Sequence, residues 1–107
     1  MSDFMEVTVD TFEDEVLQAS MPVLVDFGAV WCAPCKRLDP VVKELAEEWG
    51  EKVKVVHVDV DHNSQITIDH QVMGVPSLLL FKGGAVVERT TGFKPKDKLV
   101  QAFEPHL

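Results

Sequence analysis

The sequence predicts an α/β domain built on a strand–helix–strand crossover, and three observations carry that reading. The run Val23-Leu24-Val25-Asp26-Phe27 is short, apolar and rich in β-branched residues, the pattern of a strand buried on both faces. Leu38, Val41, Val42, Leu45, Ala46 and Trp49 then recur at helical spacing, with Lys43, Glu44, Glu47 and Glu48 between them and Gly50 as a natural stop. Val53 to Val60 alternates polar with β-branched residues and reads as a second strand. Residues 23–60 therefore form one unit, and such a unit closes as a right-handed parallel crossover.

The remaining elements fall on either side. Asp10 or Thr11, followed by acidic Glu13 and Asp14, suits the N-cap and first turn of a helix carrying Phe12, Val16 and Ala19 and ending near Ser20-Met21-Pro22. Pro34 fits the first turn of the crossover helix, whereas Pro40 lies inside it, removes one hydrogen bond and predicts a bend near position 39. A weaker helical stretch covers Ser64 to His70. Ser77 to Phe81 and Ala85 to Thr91, joined through Lys82-Gly83-Gly84, read as a hairpin. A last helix presents Leu99, Val100 and Phe103 on one face.

Composition narrows the function. A chain of 107 residues fits a single domain spanning residues 1–107, and 46% hydrophobic with 26% charged residues can build a core without disulfide or metal support. The net charge of −8 would repel a phosphate backbone, which argues against nucleic acid as a partner. Met1-Ser2-Asp3-Phe4-Met5-Glu6 is acidic and lacks the apolar core of a signal peptide, and no window approaches the roughly 18 apolar residues of a membrane span. No membrane contact and a reducing, cytoplasmic location are expected.

Cys32 and Cys35, the only two cysteines, sit in Trp31-Cys32-Ala33-Pro34-Cys35-Lys36 immediately after the buried strand. Residues i and i+3 of a helical turn lie about 5–6 Å apart at Cβ, a separation a disulfide tolerates. The two sulfurs can thus bond and part with little backbone movement. Cys32, the outer thiol, stands just past a strand end and just before a helix N-terminus, where unpaired N–H groups favour its thiolate. That position makes Cys32 the attacking nucleophile, and Cys35, one turn deeper, the thiol that resolves the mixed disulfide. Ala33 and Pro34 add no positive charge between the sulfurs, so the couple leans toward a reductant. A zinc site remains the outside alternative. His57 and His62 have the spacing of paired zinc-finger histidines, but the stretch between Cys35 and His57 exceeds the roughly 12–15 residues of that pattern.

Asp26 is an acid inside an apolar strand, where burial would raise its pKa and suit it to carrying a proton near neutral pH, although a hydrogen-bonded core residue would look the same in sequence. If the two crossover strands are neighbours, His57 could face Asp26 in a proton relay behind Cys35, or be a satisfied core histidine.

Taken together, Asp26-Phe27, the Trp31 to Lys36 motif, Gly74-Val75-Pro76-Ser77, Phe81-Lys82-Gly83-Gly84 and Gly92 resemble the thioredoxin family in order and spacing over essentially the whole chain. The resemblance implies a thioredoxin fold, β-α-β-α-β-α-β-β-α, with a mixed central sheet flanked by helices. It also implies a general protein-disulfide reductase with no bound cofactor, whose redox group is the Cys32–Cys35 disulfide. Catalytic Cys32, Cys35 and Asp26 follow from it, as does a cis peptide before Pro76. Further implications are a docking surface of Trp31, Gly74, Val75, Pro76 and Gly92, with the Val75 backbone pairing to an extended substrate segment. Expected partners are disulfide-containing proteins and a separate NADPH-dependent flavoprotein reductase, and the chain is expected to be a monomer. The alternatives are a binding or scaffold module without turnover, or an oxidase or isomerase with a retuned potential. Three positions depart from the family pattern: Gly28 replaces a common tryptophan, removing packing beneath the active-site loop, Ala33 a glycine and His57 a lysine. Ala33, Pro34 and His57 are accordingly the residues expected to tune the site.

Overall fold

The computed structural model describes residues 4–107; the first three residues of the acidic N-terminal stretch lie outside them. The strands are β1 (Met5–Glu6), β2 (Val23–Gly28), β3 (Lys54–Asp59), β4 (Ser77–Lys82) and β5 (Ala85–Thr91), and the α-helices are α1 (Ala33–Trp49), α2 (Ser64–Asp69) and α3 (Lys96–Phe103). The five strands form one sheet in the order β1-β3-β2-β4-β5. β3 runs parallel to both β1 and β2, whereas β4 is antiparallel to β2 and to β5. The expected mixed sheet is therefore present, with β2 at its centre and all six of its residues buried.

Successive strand side chains point to opposite faces, and the core divides accordingly. Val23, Val25 and Phe27 pack with Val56, Val58, Leu79, Phe81, Phe12, Val16 and Ile66 on one face. Leu24 packs on the other with Leu78 and Leu80, under Leu38, Val42, Leu45 and Trp49 of α1 and Leu99 and Phe103 of α3. Asp26 and Gly28 share the parity of Leu24, so both lie beneath α1. That helix is continuous across Pro40 and ends at Gly50, whose φ is +55°. Gly83 and Gly84, with φ of +58° and +83°, close the β4–β5 turn, a conformation glycine adopts without steric cost.

The N-terminal helix differs from expectation. Only a single wide turn forms, Glu13–Leu17, with Gln18 N–H donating to Glu13 O at 2.9 Å. Neither Asp10 nor Thr11 caps it. Thr8 organises the entry instead, its carbonyl accepting from Phe12 N–H at 2.9 Å and its N–H donating to Thr11 Oγ1 at 3.0 Å. Thr11 is thus engaged backward, and the turn is held by burial of Phe12 and Val16 rather than by a cap.

Phe103 is fully buried at the α1–α3 side of the sheet. Phe103→Ala should cost about 3–5 kcal/mol, read as a shifted urea midpoint with an unchanged slope, and a loss under about 1 kcal/mol would contradict the sealed packing.

Candidate active site

The crossover places the cysteines where β2 ends and α1 begins. Cys32 is the N-cap of α1, with extended backbone (φ −90°, ψ 105°), and its Sγ accepts a hydrogen bond from the Cys35 N–H at 3.2 Å. Pro34 occupies the first turn, where its missing N–H costs no helical bond. Cys32 and Cys35 form a disulfide with their Cα atoms 5.3 Å apart. In the disulfide form both cysteines are buried, Cys32 at 3% and Cys35 at 5% exposure. What separates them is polarity of surroundings. Cys32 holds the helix N-terminus and a direct N–H donor, both of which stabilise a thiolate.

Beneath Cys35 lies a row of titratable side chains. Asp26 is the register partner of His57 across β2 and β3, and His57 is the register partner of Glu6 across β3 and β1. Asp26 is 1% exposed, and its Oδ2 has no hydrogen-bond partner among the described residues. Burial raises its pKa well above the ordinary carboxylate value, and the charge and side-chain hydrogen bond of Asp39 on α1, together with the charge of Glu6, push the same way. His57 is equally buried, and its Nδ1 meets the Glu6 carboxylate at 2.8–3.0 Å.

Gly28 does not leave an empty space under the loop, as the lost tryptophan suggested. A Cβ built there would stand 3.1 Å from His57 Nε2 and 3.5 Å from Cys35 Sγ, so the imidazole and the sulfur already occupy that ground.

Around the disulfide, the Val75–Pro76 peptide is cis, and Cys32 packs with Ala29, Val60 and Val75. Gly92 N–H donates to Pro76 O at 2.8 Å and the Ser77 hydroxyl to Gly74 O at 2.6 Å, which ties the Gly74–Ser77 loop to the end of β5. Trp31 is 66% exposed, its indole N–H fixed by Asp61 Oδ2 at 2.8 Å. Together with Val60, Val72, Met73, Gly74 and Val75 it lines a shallow cleft of about 210 Å³. Of the expected docking residues, Trp31 and Gly74 are exposed, Val75 and Gly92 half-buried, and Pro76 buried. Ala33 is exposed beside the disulfide.

The zinc alternative finds no geometry. The cysteines are bonded to each other, His57 is engaged by Glu6 and His62 by Asp59 at 2.9 Å, and no metal-holding cluster occurs among the described residues. No described helix is long and apolar enough to cross a membrane.

A dithiol at a helix N-terminus, beside a cis-proline loop and above a buried acid, defines a dithiol–disulfide exchange protein. The thioredoxin family profile matches residues 3–105. Thioredoxin 1 of Nostoc sp. is 45% identical over 107 residues, covering all of both chains. Thioredoxin of Mycolicibacterium smegmatis is 47% identical over 103 residues, 94% of this chain and 92% of its own, and that of Bacillus subtilis 48% over 85 residues, 79% and 82%. The chain belongs to the thioredoxin family. It is a protein-disulfide oxidoreductase acting as a reductase, its redox group is the Cys32–Cys35 disulfide, and its partners are disulfide-containing substrates and a thioredoxin reductase.

Sequence reasoning missed Glu6, Asp39, Asp61 and Met73. Asp39 carried a signal, standing four residues after Cys35 on the same helical face. The short strand holding Glu6 carried none.

Because the folded state retains the Asp26 proton at pH values where the unfolded chain has lost it, stability falls as pH rises from the ordinary carboxylate pKa, about 3.9, through the raised one. Asp26→Asn should therefore raise the melting temperature at neutral pH, with the gain shrinking toward about pH 4. A gain of constant size across that range would contradict the buried acid.

Proposed function

We propose that this protein reduces disulfides of other proteins in two thiol exchanges, with Cys32 attacking and Cys35 resolving. The Cys32 thiolate displaces one substrate sulfur and forms a mixed disulfide; the Cys35 thiolate then attacks Cys32 and releases the second substrate sulfur, leaving the Cys32–Cys35 disulfide. The observation that carries this order of events is the Cys35 N–H directed at Cys32 Sγ at the N-cap of α1, an anion-stabilising donor. Asp26, buried with a raised pKa on the Cys35 side, is the group suited to take the resolving thiol's proton.

Substrate docking is assigned to Trp31, Gly74, Val75, Pro76 and Gly92. Support comes from the shallow apolar cleft beside Trp31, and from Val75, which lies outside β4 and whose backbone enters none of the loop hydrogen bonds among the described residues. Pro76, being buried, shapes the loop more than it meets substrate. Ala33 and Pro34 leave the couple without added positive charge, which favours a low potential. The fuller reading is a general reductase and electron carrier, one domain working as a monomer in the cytoplasm and recycled by an NADPH-dependent flavoprotein reductase.

Cys35→Ser should accumulate a stoichiometric mixed disulfide with a disulfide-bonded substrate, seen by mass spectrometry at Cys32 and reversed by dithiothreitol. Recovery of adduct only from Cys32→Ser would reverse the two roles.

A further inference from the structure

Gly28 and His57 depart from the family pattern in the same place, and both border one small space beside the resolving cysteine. A single point, where a Cβ on residue 28 would stand, lies 3.1 Å from His57 Nε2 and 3.5 Å from Cys35 Sγ. Any larger residue would close the approach between ring and sulfur. The opposite ring nitrogen, Nδ1, is held by Glu6, which fixes the ring plane and leaves Nε2 as the atom facing the gap. A carboxylate, an imidazole and a thiol thus stand in sequence from the sheet edge to the active site.

We propose that His57, oriented by Glu6 and admitted by Gly28, is a second proton acceptor for Cys35 beside Asp26. The proposal rests on the two-exchange reading above. In the resolving step the Cys35 S–H bond breaks and its proton passes to His57 Nε2, directly or through one water. The Cys35 sulfur bonds to Cys32 as the bond between Cys32 and the substrate sulfur breaks, and that sulfur leaves with the electron pair as a thiolate. The two electrons of the dithiol have then passed to the substrate, and the imidazolium returns its proton to solvent or to the leaving thiolate. Glu6 is a positioning residue in this scheme. The charged groups facing His57 are Glu6 from β1, Asp26 from β2 with Asp39 beside it on α1, and Asp59 on its own strand. All are acidic side chains, and Glu6 is the one that hydrogen-bonds the ring.

The test is stopped-flow reaction of the reduced protein with dithiobis(nitrobenzoate). Its first coloured release reports attack by Cys32 and its second reports resolution by Cys35. His57→Gln should slow the second phase about tenfold to a hundredfold near neutral pH and remove an imidazole-like rise from its pH profile. Gly28→Ala, which deletes no titrating group but crowds Nε2, should slow the same phase several-fold and add nothing further in the His57→Gln background. Glu6→Gln, on the exposed sheet edge, should slow the same phase more mildly than His57→Gln, because the ring loses its orienting carboxylate. A second phase in His57→Gln with the wild-type rate and profile would overturn the proposal, as would additive losses for Gly28→Ala. If the first phase is absent and Cys35→Ser forms no adduct, the two-exchange reading fails as well; an intact first phase with an unchanged second one sinks only the role of His57.

Discussion

The parallel register of β2 against β3 is the constraint on which the rest of the molecule depends. It sets Asp26 opposite His57 and Gly28 opposite Asp59, and it fixes where β2 stops and α1 starts. Shifting β2 by one residue would turn Asp26 into the Val25 and Phe27 layer, and shifting β3 would turn His57 away from it. Apolar packing enforces the register from both sides of the sheet, through Val23, Val25 and Phe27 on one face and Leu24 under α1 on the other. Redox chemistry is thereby positioned by the same burial that stabilises the fold.

That burial also sets the opposing cost. Asp26 sits on a central strand at 1% exposure with one oxygen unpartnered, and the nearby charges of Asp39 and Glu6 make its ionisation harder still. An apolar residue would suit this position better for stability alone. The same arrangement keeps a proton-binding group, its pKa raised by burial, beneath the helix that carries Cys35, where thiol exchange needs one. At the helix end the balance is reversed: Cys32 receives a hydrogen bond and the positive end of α1, so its anion is favoured. One thiol is activated by the helix, and the other is served by groups in the sheet below.

Much of this was legible from the chain. The crossover could be read because its elements are long and periodic, with β-branched runs at 23–27 and 53–60 bracketing a helical face. The cysteine pair and Asp26 stood out as residue types alien to their surroundings. Elements held by tertiary contacts were hidden. Met5–Glu6 is too short for any periodicity and exists because β3 offers an edge to pair with. The turn at Glu13–Leu17 follows from burial of Phe12 and Val16, so its capping signals misled. Gly28 read as missing bulk, since only a three-dimensional arrangement reveals that a histidine from another strand fills the space. Asp39 was overlooked beside Pro40, although its helical spacing from Cys35 pointed inward.

The account requires the oxidised couple to be hard to reduce, with no cationic residue between the cysteines and the buried acid Asp26 beneath them. The most direct measurement is the equilibrium reduction potential of Cys32/Cys35, by equilibration in defined thiol buffers with alkylation and mass readout. A value below the extracted glutathione poise of about −220 to −260 mV is predicted and marks a disulfide reductant. A value above that poise would contradict the account and place the protein among oxidants or isomerases.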